Sequence, residues 1–336
     1  MTPPRPKVVI TGRVPQPAVD LLESIADVWM NTDALLPRSK LLDQVRGADA
    51  ILSLLTVSVD SELLAAAGSQ LRIVANVAVG YNNVDTNACR AAGVAVTNTP
   101  GVLTDSTADI AMALILMTTR GLGSSERVVR SATPWEWGMF EFLGVGIQGA
   151  RLGIVGMGQI GIALARRARA HGMTVAYSNR STADPAVVAE LGAASLPLQD
   201  LLTSSDVVSL NCPYGPDTHH LIDAGALATM KPTAFLINTA RGAIVDEVAL
   251  VAALREGVIA GAGLDVYERE PQLAAGLVEL QNVVLLPHVG SATIETRTAM
   301  ATLAARNVLA VLSGGAPITP IPLHENVALP RDGSSV

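Results

Sequence analysis

Short apolar runs alternate with amphipathic segments along the first hundred residues of the chain. The segments between the runs have the spacing of helices, and one of them ends at Gly68, a residue type that commonly follows a helix. Strands that alternate with short helices indicate βαβ units and a parallel sheet. The predicted strands are 7–11, 26–30, 49–53, 72–77 and 94–97.

A second series of the same kind begins at residue 151. Its predicted strands are 151–155, 174–178, 206–211, 234–239, 261–267 and 283–286. We therefore expect an α/β protein with two doubly wound parallel-sheet domains.

A predicted helix and a long connection join the two series. The helix is expected over 106–120, with Ser106 as its N-cap and Asp109 in the position of a capping box. The stretch 121–150 has no clear period and contains four of the ten aromatic residues of the chain. Because a connection of this length is unusual in a compact protein, we expect it to have an interaction role. A last helix is predicted over 291–313.

Composition narrows the class of protein. The chain has 336 residues, 49% hydrophobic and 16% charged, which is enough apolar material for two cores. A net charge of −7 argues against nucleic acid or an anionic membrane as the main partner, since either requires a basic surface. The most apolar stretch, 110–117, is far shorter than the roughly 20 residues of a bilayer-spanning helix. Cys89 and Cys212 lack metal-ligand spacing and indicate free thiols in a reducing compartment, so we expect a cytoplasmic protein without a metal site.

A glycine-rich turn follows the predicted strand 151–155 and precedes a predicted helix over 159–171. In this context the pattern G-x-G-x-x-G permits a tight turn, a close approach of the backbone to a pyrophosphate, and a helix N-terminus facing the negative charge. The motif predicts a dinucleotide site rather than a simple turn between packed elements. Its residues are Gly156, Met157, Gly158, Gln159, Ile160 and Gly161.

The residues after the next predicted strand bear on the choice of cofactor. An NAD site usually has a carboxylate there for the ribose hydroxyls. This chain has no carboxylate until Asp184, which precedes a proline and is better explained as a helix N-cap. Arg180, together with the hydroxyls of Ser181 and Thr182, suits a 2′-phosphate, so the sequence favours NADP(H) over NAD(H). The alternative is that Arg180 is an ordinary solvated loop residue.

Three further segments each follow a predicted strand of the second series. They contribute an arginine, a carboxylate and a histidine to the sheet edge at which open α/β folds bind ligands. An arginine can bind a carboxylate with two hydrogen bonds, and a histidine can supply a proton while a carboxylate holds its tautomer. Singly, Arg241 could cap a strand, Glu270 could be a surface carboxylate and His288 could be structural. The segments are 237–242, 264–271 and 287–291.

Over about residues 7–318 the sequence resembles the D-isomer-specific 2-hydroxyacid dehydrogenases, and most closely their glyoxylate/hydroxypyruvate reductase branch. Two departures concern the substrate side: Asn82 stands where many relatives have Asp, and Met139 replaces a common proline. The motifs that carry the resemblance are VAVGYNNVD (77–85), VLTDSTADIAMALIL (102–116), LGIVGMGQIG (152–161), INTARGAIVDE (237–247), GLDVYEREP (263–271), LLPHVGSAT (285–293) and the aromatic run 137–144.

The resemblance implies a catalytic set of Arg241, Glu270 and His288. The implied substrate-binding residues are Leu55, the backbone N–H groups of Val79 and Gly80, Tyr81, Arg241 and Trp137. Thr107, Pro213, Thr239 and Asp265 are implied to surround the nicotinamide half of the cofactor. The full expected cofactor-binding set is Thr107, Gly156, Gly158, Gln159, Ile160, Gly161, Asn179, Arg180, Ser181, Cys212, Pro213, Thr218, Thr239, Ala240, Arg241, Asp265, His288 and Gly290.

The resemblance also implies the domain organisation. Residues 1–101 and 290–336 are expected to form a discontinuous, flavodoxin-like substrate domain, and 102–289 a Rossmann nucleotide-binding domain. The stretch 121–150 then mediates homodimerisation. Trp137 either reaches the active site of the partner or packs only within the dimer contact.

The expected activity is hydride transfer from NAD(P)H to a small 2-oxo acid, glyoxylate or hydroxypyruvate, which gives the D-2-hydroxy acid. Two alternatives stay open. One is a dinucleotide-sensing, corepressor-like interaction protein, since the same fold also serves that role. The other is a phosphite or other 2-hydroxyacid dehydrogenase, although the phosphite branch has a lysine where this chain has Val79.

Overall fold

The computed structural model describes residues 4–33, 36–132 and 134–322. The chain folds as two compact units, one built from the part up to Leu103 and from Ala292 onward, the other from Thr104–Ser291. The strands are β1 Lys7–Ile10, β2 Asp27–Met30, β3 Ala50–Ser53, β4 Ile73–Asn76, β5 Ala95–Thr97, β6 Arg151–Val155, β7 Thr174–Ser178, β8 Ala194–Ser195, β9 Val207–Leu210, β10 Phe235–Asn238, β11 Gly261–Leu264 and β12 Val283–Leu285. The helices are α1 Gln16–Glu23, α2 Arg38–Gln44, α3 Ser61–Ala67, α4 Thr86–Ala91, α5 Thr104–Thr119, α6 Leu122–Arg130, α7 Gln159–Ala170, α8 Pro185–Leu191, α9 Leu198–Ser204, α10 Ala224–Thr229, α11 Glu247–Glu256 and α12 Ile294–Leu312.

The first unit contains a five-stranded parallel sheet in the order β2-β1-β3-β4-β5. Successive residues of β1 face opposite sides of this sheet, as the pleat requires. Val8 and Ile10 belong to a core with α1 and α12, whereas Val9 belongs to the core on the other face with α2 and α3. This strand order is that of flavodoxin-like folds.

The second unit contains a seven-stranded parallel sheet in the order β12-β11-β10-β9-β6-β7-β8. Two hydrophobic cores, one on each face of the sheet, hold it between helices. The strand order reverses between β6 and β9, and open α/β sheets bind ligands beyond the strand ends at such a point. The predicted α/β class with two doubly wound parallel sheets is confirmed.

Two local predictions are confirmed and one is wrong. Gly68 is the C-cap of α3 at φ 95°, and Asp184 caps α8 by accepting the Ala186 N–H at 2.8 Å. Helix α5 begins at Thr104 rather than at Ser106, because the chain turns at Gly101 (φ 84°) and enters the helix directly after that turn.

The stretch 121–150 contains the helix α6, which the sequence interpretation missed. Gly121 precedes α6 in the left-handed region at φ 60°, and an ion pair joins Glu126 to Arg130 one turn later. None of the nine residues of α6 is buried, and its three large apolar residues, Leu122, Val128 and Val129, are too few to mark a helix in the sequence. In the part of the chain that the structure describes, no helix is long and apolar enough to cross a membrane.

Candidate active site

The glycine turn lies between β6 and α7, as predicted. Gly156 has φ 97°, and a Cβ there would lie 2.5 Å from the Cys212 backbone nitrogen. A Cβ on Gly161 would lie 2.5 Å from the Gly156 carbonyl oxygen. Both positions therefore require glycine. Gly158 is the N-cap of α7, and no described side chain caps this end, which leaves the N–H groups of Gln159 and Ile160 for an anion.

The loop after β7 has an amide where an NAD site usually has a carboxylate. Asn179 Oδ1 accepts the Met157 N–H at 2.6 Å, so the side chain supports the glycine turn and its Nδ2 remains a donor. Arg180 is 80% exposed, and its guanidinium lies 3.7 Å from the Asp217 carboxylate. Ser181 is exposed beside it.

The loop after β9 contains three of the expected cofactor residues. Thr218 Oγ1 accepts the Gly215 N–H and donates to the Pro213 carbonyl, both at 2.9 Å, so this hydroxyl closes its own turn. Burial raises the pKa of the Cys212 thiol to about 11. Cys212 is thus a packing residue beside the glycine turn and not a thiolate nucleophile.

The loop after β10 fixes the arginine. The Asn238 side chain donates to the Arg241 carbonyl at 2.9 Å and accepts the Ala240 N–H at 3.0 Å. The Arg241 guanidinium donates to the Ala240 carbonyl at 2.7 Å. Burial lowers the pKa of Arg241 and the nearby Glu270 charge opposes that effect, while a guanidinium stays protonated in either case. Thr239 is buried at the end of the same strand.

Glu270 and His288 form a hydrogen-bonded pair. His288 Nδ1 and Glu270 Oε2 are 2.7 Å apart, and Glu270 Oε1 accepts the Tyr267 N–H at 2.9 Å. Burial raises the pKa of Glu270, but hydrogen bonds from His288 and the Tyr267 N–H, with the nearby positive charges, outweigh it and hold that pKa below its usual value. Because an ionised carboxylate only accepts, Nδ1 carries the hydrogen and Nε2 is left for proton exchange with a ligand.

Asp265 holds the backbone that carries His288. This carboxylate is 1% exposed and accepts the N–H groups of Val289 and Gly290, each at 2.7 Å. The Asp265 carbonyl accepts the His288 N–H at 2.9 Å. These three bonds stabilise His288 at φ 55°, a conformation that costs a non-glycine residue energy and persists where the surroundings impose it. A Cβ on Gly290 would lie 3.4 Å from Thr107, so Thr107 borders the same group.

The sequence interpretation missed two acidic residues behind this pair. Glu247, 4% exposed, accepts the Glu268 N–H at 2.8 Å and thereby supports the loop of Glu270. Glu268 in turn pairs with His220 Nε2 at 3.0 Å. Glu247 is the last residue of the motif INTARGAIVDE, but nothing in that motif indicates that its carboxylate is buried. Burial raises the pKa of Glu247, against the opposing Glu268 N–H bond.

The expected substrate-binding residues are divided between the two units. Val79, Gly80 and Tyr81 lie in the loop after β4 and Leu55 in the loop after β3, both in the first unit. Arg241 and Trp137 lie in the second unit, and the Trp137 side chain is 93% exposed. Within the described residues no group of three His, Cys, Asp or Glu side chains could hold a metal ion.

Comparison with known proteins decides the family. Residues 112–290, more than half of the 336, match the family model described as D-isomer specific 2-hydroxyacid dehydrogenase, NAD binding domain. The chain belongs to the D-isomer-specific 2-hydroxyacid dehydrogenases. It is similar over 320 residues, at 46% identity, to the glyoxylate reductase of Thermococcus litoralis, which covers 93% of this chain and 96% of that one.

Two solved structures agree with this assignment. A glyoxylate reductase from Paecilomyes thermophila superimposes with a TM-score of 0.87 at 34% identity, covering 95% of this chain and 99% of that one. An NADPH-dependent glyoxylate/hydroxypyruvate reductase from Sinorhizobium meliloti, in complex with NADP and malonate, superimposes with a TM-score of 0.81 at 33% identity, covering 96% and 99%. The predicted class, an oxidoreductase of 2-hydroxy and 2-oxo acids with a nicotinamide dinucleotide, is confirmed.

Proposed function

We propose that this 2-hydroxyacid dehydrogenase reduces glyoxylate or hydroxypyruvate with NADPH and gives the D-2-hydroxy acid. The observation that carries the proposal is the 2.7 Å pair of His288 and Glu270, which lies in the same unit as Arg241 and the glycine turn. The relatives described above are reductases of these acids, which supports the same substrate class here.

The residues present fit a nicotinamide dinucleotide. The backbone at Gly158 faces open space, since a Cβ there would meet no atom within 4 Å, and the uncapped start of α7 lies beside it. Gln159, Ile160 and the glycines would hold the pyrophosphate. Thr107, Asp265, Thr239 and Gly290 would border the nicotinamide half.

NADP(H) is proposed over NAD(H) on the chemistry of the loop after β7. Asn179 and Arg180 offer donors, and the first carboxylate after that strand, Asp184, caps α8. Donors suit a 2′-phosphate, whereas the hydroxyls of an unphosphorylated ribose are usually bound by a carboxylate. The NADP complex of the Sinorhizobium meliloti relative supports the same choice.

When bound, the dinucleotide supplies the hydride. The N–H groups of Val79 and Gly80 and the Arg241 guanidinium bind the substrate carboxylate, and Arg241 also polarises the carbonyl oxygen. His288 Nε2 donates its proton to that oxygen as it becomes a hydroxyl. Glu270 accepts the hydrogen bond from His288 Nδ1 and stabilises the protonated ring before His288 gives up its Nε2 proton.

The stretch 121–150 is proposed as a homodimer contact. It exposes a group of large apolar side chains that a monomer in water rarely leaves uncovered. Trp137, at 93% exposed, is their most exposed member and is proposed to enter the contact or the active site of the partner. The group includes Trp135, Trp137, Met139, Phe140, Leu143 and Val145. The cytoplasmic location stays a prediction, based on two free cysteines.

The test is a matrix of kcat/KM for glyoxylate, hydroxypyruvate and pyruvate, each with NADPH and NADH. We expect turnover of the first two acids, with NADPH preferred. His288→Ala should lose about 10²–10⁴-fold in kcat while still binding NADPH in a fluorescence titration. Absence of turnover by the parent would favour the corepressor-like alternative. A preference of about tenfold for NADH, about 1.4 kcal/mol, would refute the argument from Arg180.

A further inference from the structure

Three successive carbonyl groups in the loop after β4 each accept a hydrogen bond. The acceptors are the carbonyl oxygens of Ala78, Val79 and Gly80. Since a carbonyl oxygen only accepts, the side-chain amides that face it must present their nitrogen. The donors are the Thr99 backbone N–H to Ala78 at 2.9 Å, Asn98 Nδ2 to Val79 at 2.8 Å and Asn76 Nδ2 to Gly80 at 2.9 Å.

These bonds set the direction of the N–H groups that follow. In a trans peptide the C=O of one residue and the N–H of the next point in opposite directions. The three peptide bonds are trans, so the N–H groups of Val79, Gly80 and Tyr81 point away from the donors on 76, 98 and 99. Within the described part of the chain, none of these three N–H groups has a hydrogen-bond acceptor. Each is a donor held in place for an acceptor from outside.

A second layer of amides holds Asn76 itself. Asn76 is fully buried, and its side chain exchanges two hydrogen bonds with Asn83, at 3.1 and 3.3 Å. Asn83 Nδ2 also donates to the Val57 carbonyl at 3.1 Å and to the Leu54 carbonyl at 3.4 Å. The network thereby joins the loop after β3, which carries Leu55, to the loop after β4.

We propose that Asn98 is a positioning residue: its bond to the Val79 carbonyl orients the Gly80 N–H toward the carboxylate of the substrate, and Asn76, through the Gly80 carbonyl, holds the next peptide of the same loop. This rests on the proposed function, in which the Gly80 N–H binds that carboxylate. Each peptide is oriented before the substrate arrives, so binding does not have to order the loop.

Asn98 is the better site for the test because it is less buried than Asn76. In Asn98→Ala the Val79 carbonyl loses its donor and the 79–80 peptide is free to rotate. The carboxylate contact exists before and during hydride transfer, so its loss raises KM and leaves kcat unchanged. We expect KM for glyoxylate to rise about tenfold, with kcat and the NADPH dissociation constant within about twofold of the parent.

A second measurement does not depend on turnover. Oxalate, a small dicarboxylate that is not reduced, is titrated calorimetrically into the parent and the variant in the presence of NADP⁺. Its dissociation constant should rise by about the same factor as KM. The matched control is Asn31→Ala, which removes an amide of the same unit that is 3% exposed and whose hydrogen bonds to described residues are both with Asp33. Asn98→Asp keeps the shape of the side chain and removes the Nδ2 donor. The same rise in KM and in the oxalate dissociation constant is expected for it, so it replaces the alanine variant if that variant does not fold.

The outcomes separate this inference from the proposed function. If the parent reduces glyoxylate and both Asn98 variants keep its KM and its oxalate affinity, the positioning role is wrong and the proposed function stands. If the parent reduces neither acid, the proposed function fails, and oxalate affinity alone decides the role of Asn98. A parent that does not bind oxalate, or a control that weakens oxalate as much as Asn98→Ala, overturns the inference.

Discussion

Gly242 lies where the loop of Arg241 packs directly on the loop of Glu270. A Cβ at this position would be 1.8 Å from the Tyr267 carbonyl carbon and 2.2 Å from the Glu268 nitrogen. Both are backbone atoms, so no side chain can rotate aside. Gly242→Ala therefore perturbs the proposed catalytic group of Arg241, Glu270 and His288 without changing any of its side chains.

The displacement follows from these distances. Ordinary van der Waals contact begins at 3.4 Å, whereas the added Cβ would lie 1.8 Å from the Tyr267 carbonyl carbon. The backbone of Tyr267 must therefore move away by about 1.6 Å, the difference between these two distances. The Tyr267 N–H donates to Glu270, and Glu270 holds His288, so the movement reaches the proposed proton donor. A misplacement of about 1 Å costs about 10²-fold in rate, and overpacking of this kind destabilises a fold by about 1–3 kcal/mol.

We expect Gly242→Ala to lose at least about 100-fold in kcat for glyoxylate, or about 2.7 kcal/mol, and to retain NADPH binding because the turn at Gly156 is untouched. Steady-state kinetics, a fluorescence titration with NADPH and thermal unfolding by circular dichroism measure these effects. The control is Gly123→Ala, whose Cβ would meet only the end of Arg127 at 3.5 Å. A Gly242→Ala enzyme with kcat within twofold of the parent would refute the argument from the contact.

Two further predictions concern stability and assembly. Burial raises the pKa of Glu247, so the parent loses stability as pH rises through that value, whereas Glu247→Gln does not titrate and can still accept the Glu268 N–H. The Tm of the variant minus that of the parent should thus increase between about pH 4 and pH 8, and a constant difference would contradict it. The double variant Trp137→Ser and Phe140→Ser removes apolar groups that are 93% and 83% exposed, and should sediment as a monomer, whereas we expect the parent to sediment as a dimer. Equal masses for parent and variant would exclude this contact.

The sheets were predictable because their signal is local. Strands β6 and β7 have the bounds that the alternation of apolar runs and turn residues predicts. The glycine turn was predictable for the same reason, since its steric requirement arises within a few residues. Helix α6 was missed because it is short and has only three large apolar residues, Leu122, Val128 and Val129, too few for a helical period to stand out in the sequence.

The candidate site was predictable in membership but not in arrangement. Arg241, Glu270 and His288 could be chosen from motifs, each just beyond a strand. Neither the left-handed backbone of His288 nor its support by Asp265 follows from any motif. Those depend on residues that lie 23 or more positions apart and meet only when β11 and β12 pair.

The class of fold and the dinucleotide turn follow from the sequence alone, which also nominates Arg241, Glu270 and His288 as reacting side chains, because periodicity, glycine and functional groups are properties of single short segments. Only the tertiary structure decided which atoms face each other: the Gly242 contact with Tyr267, the burial of Glu247, and the amides of Asn76 and Asn98 that hold the loop after β4. Directions of N–H groups and tautomers of imidazoles depend on partners from other strands. They exist only once the sheets have formed.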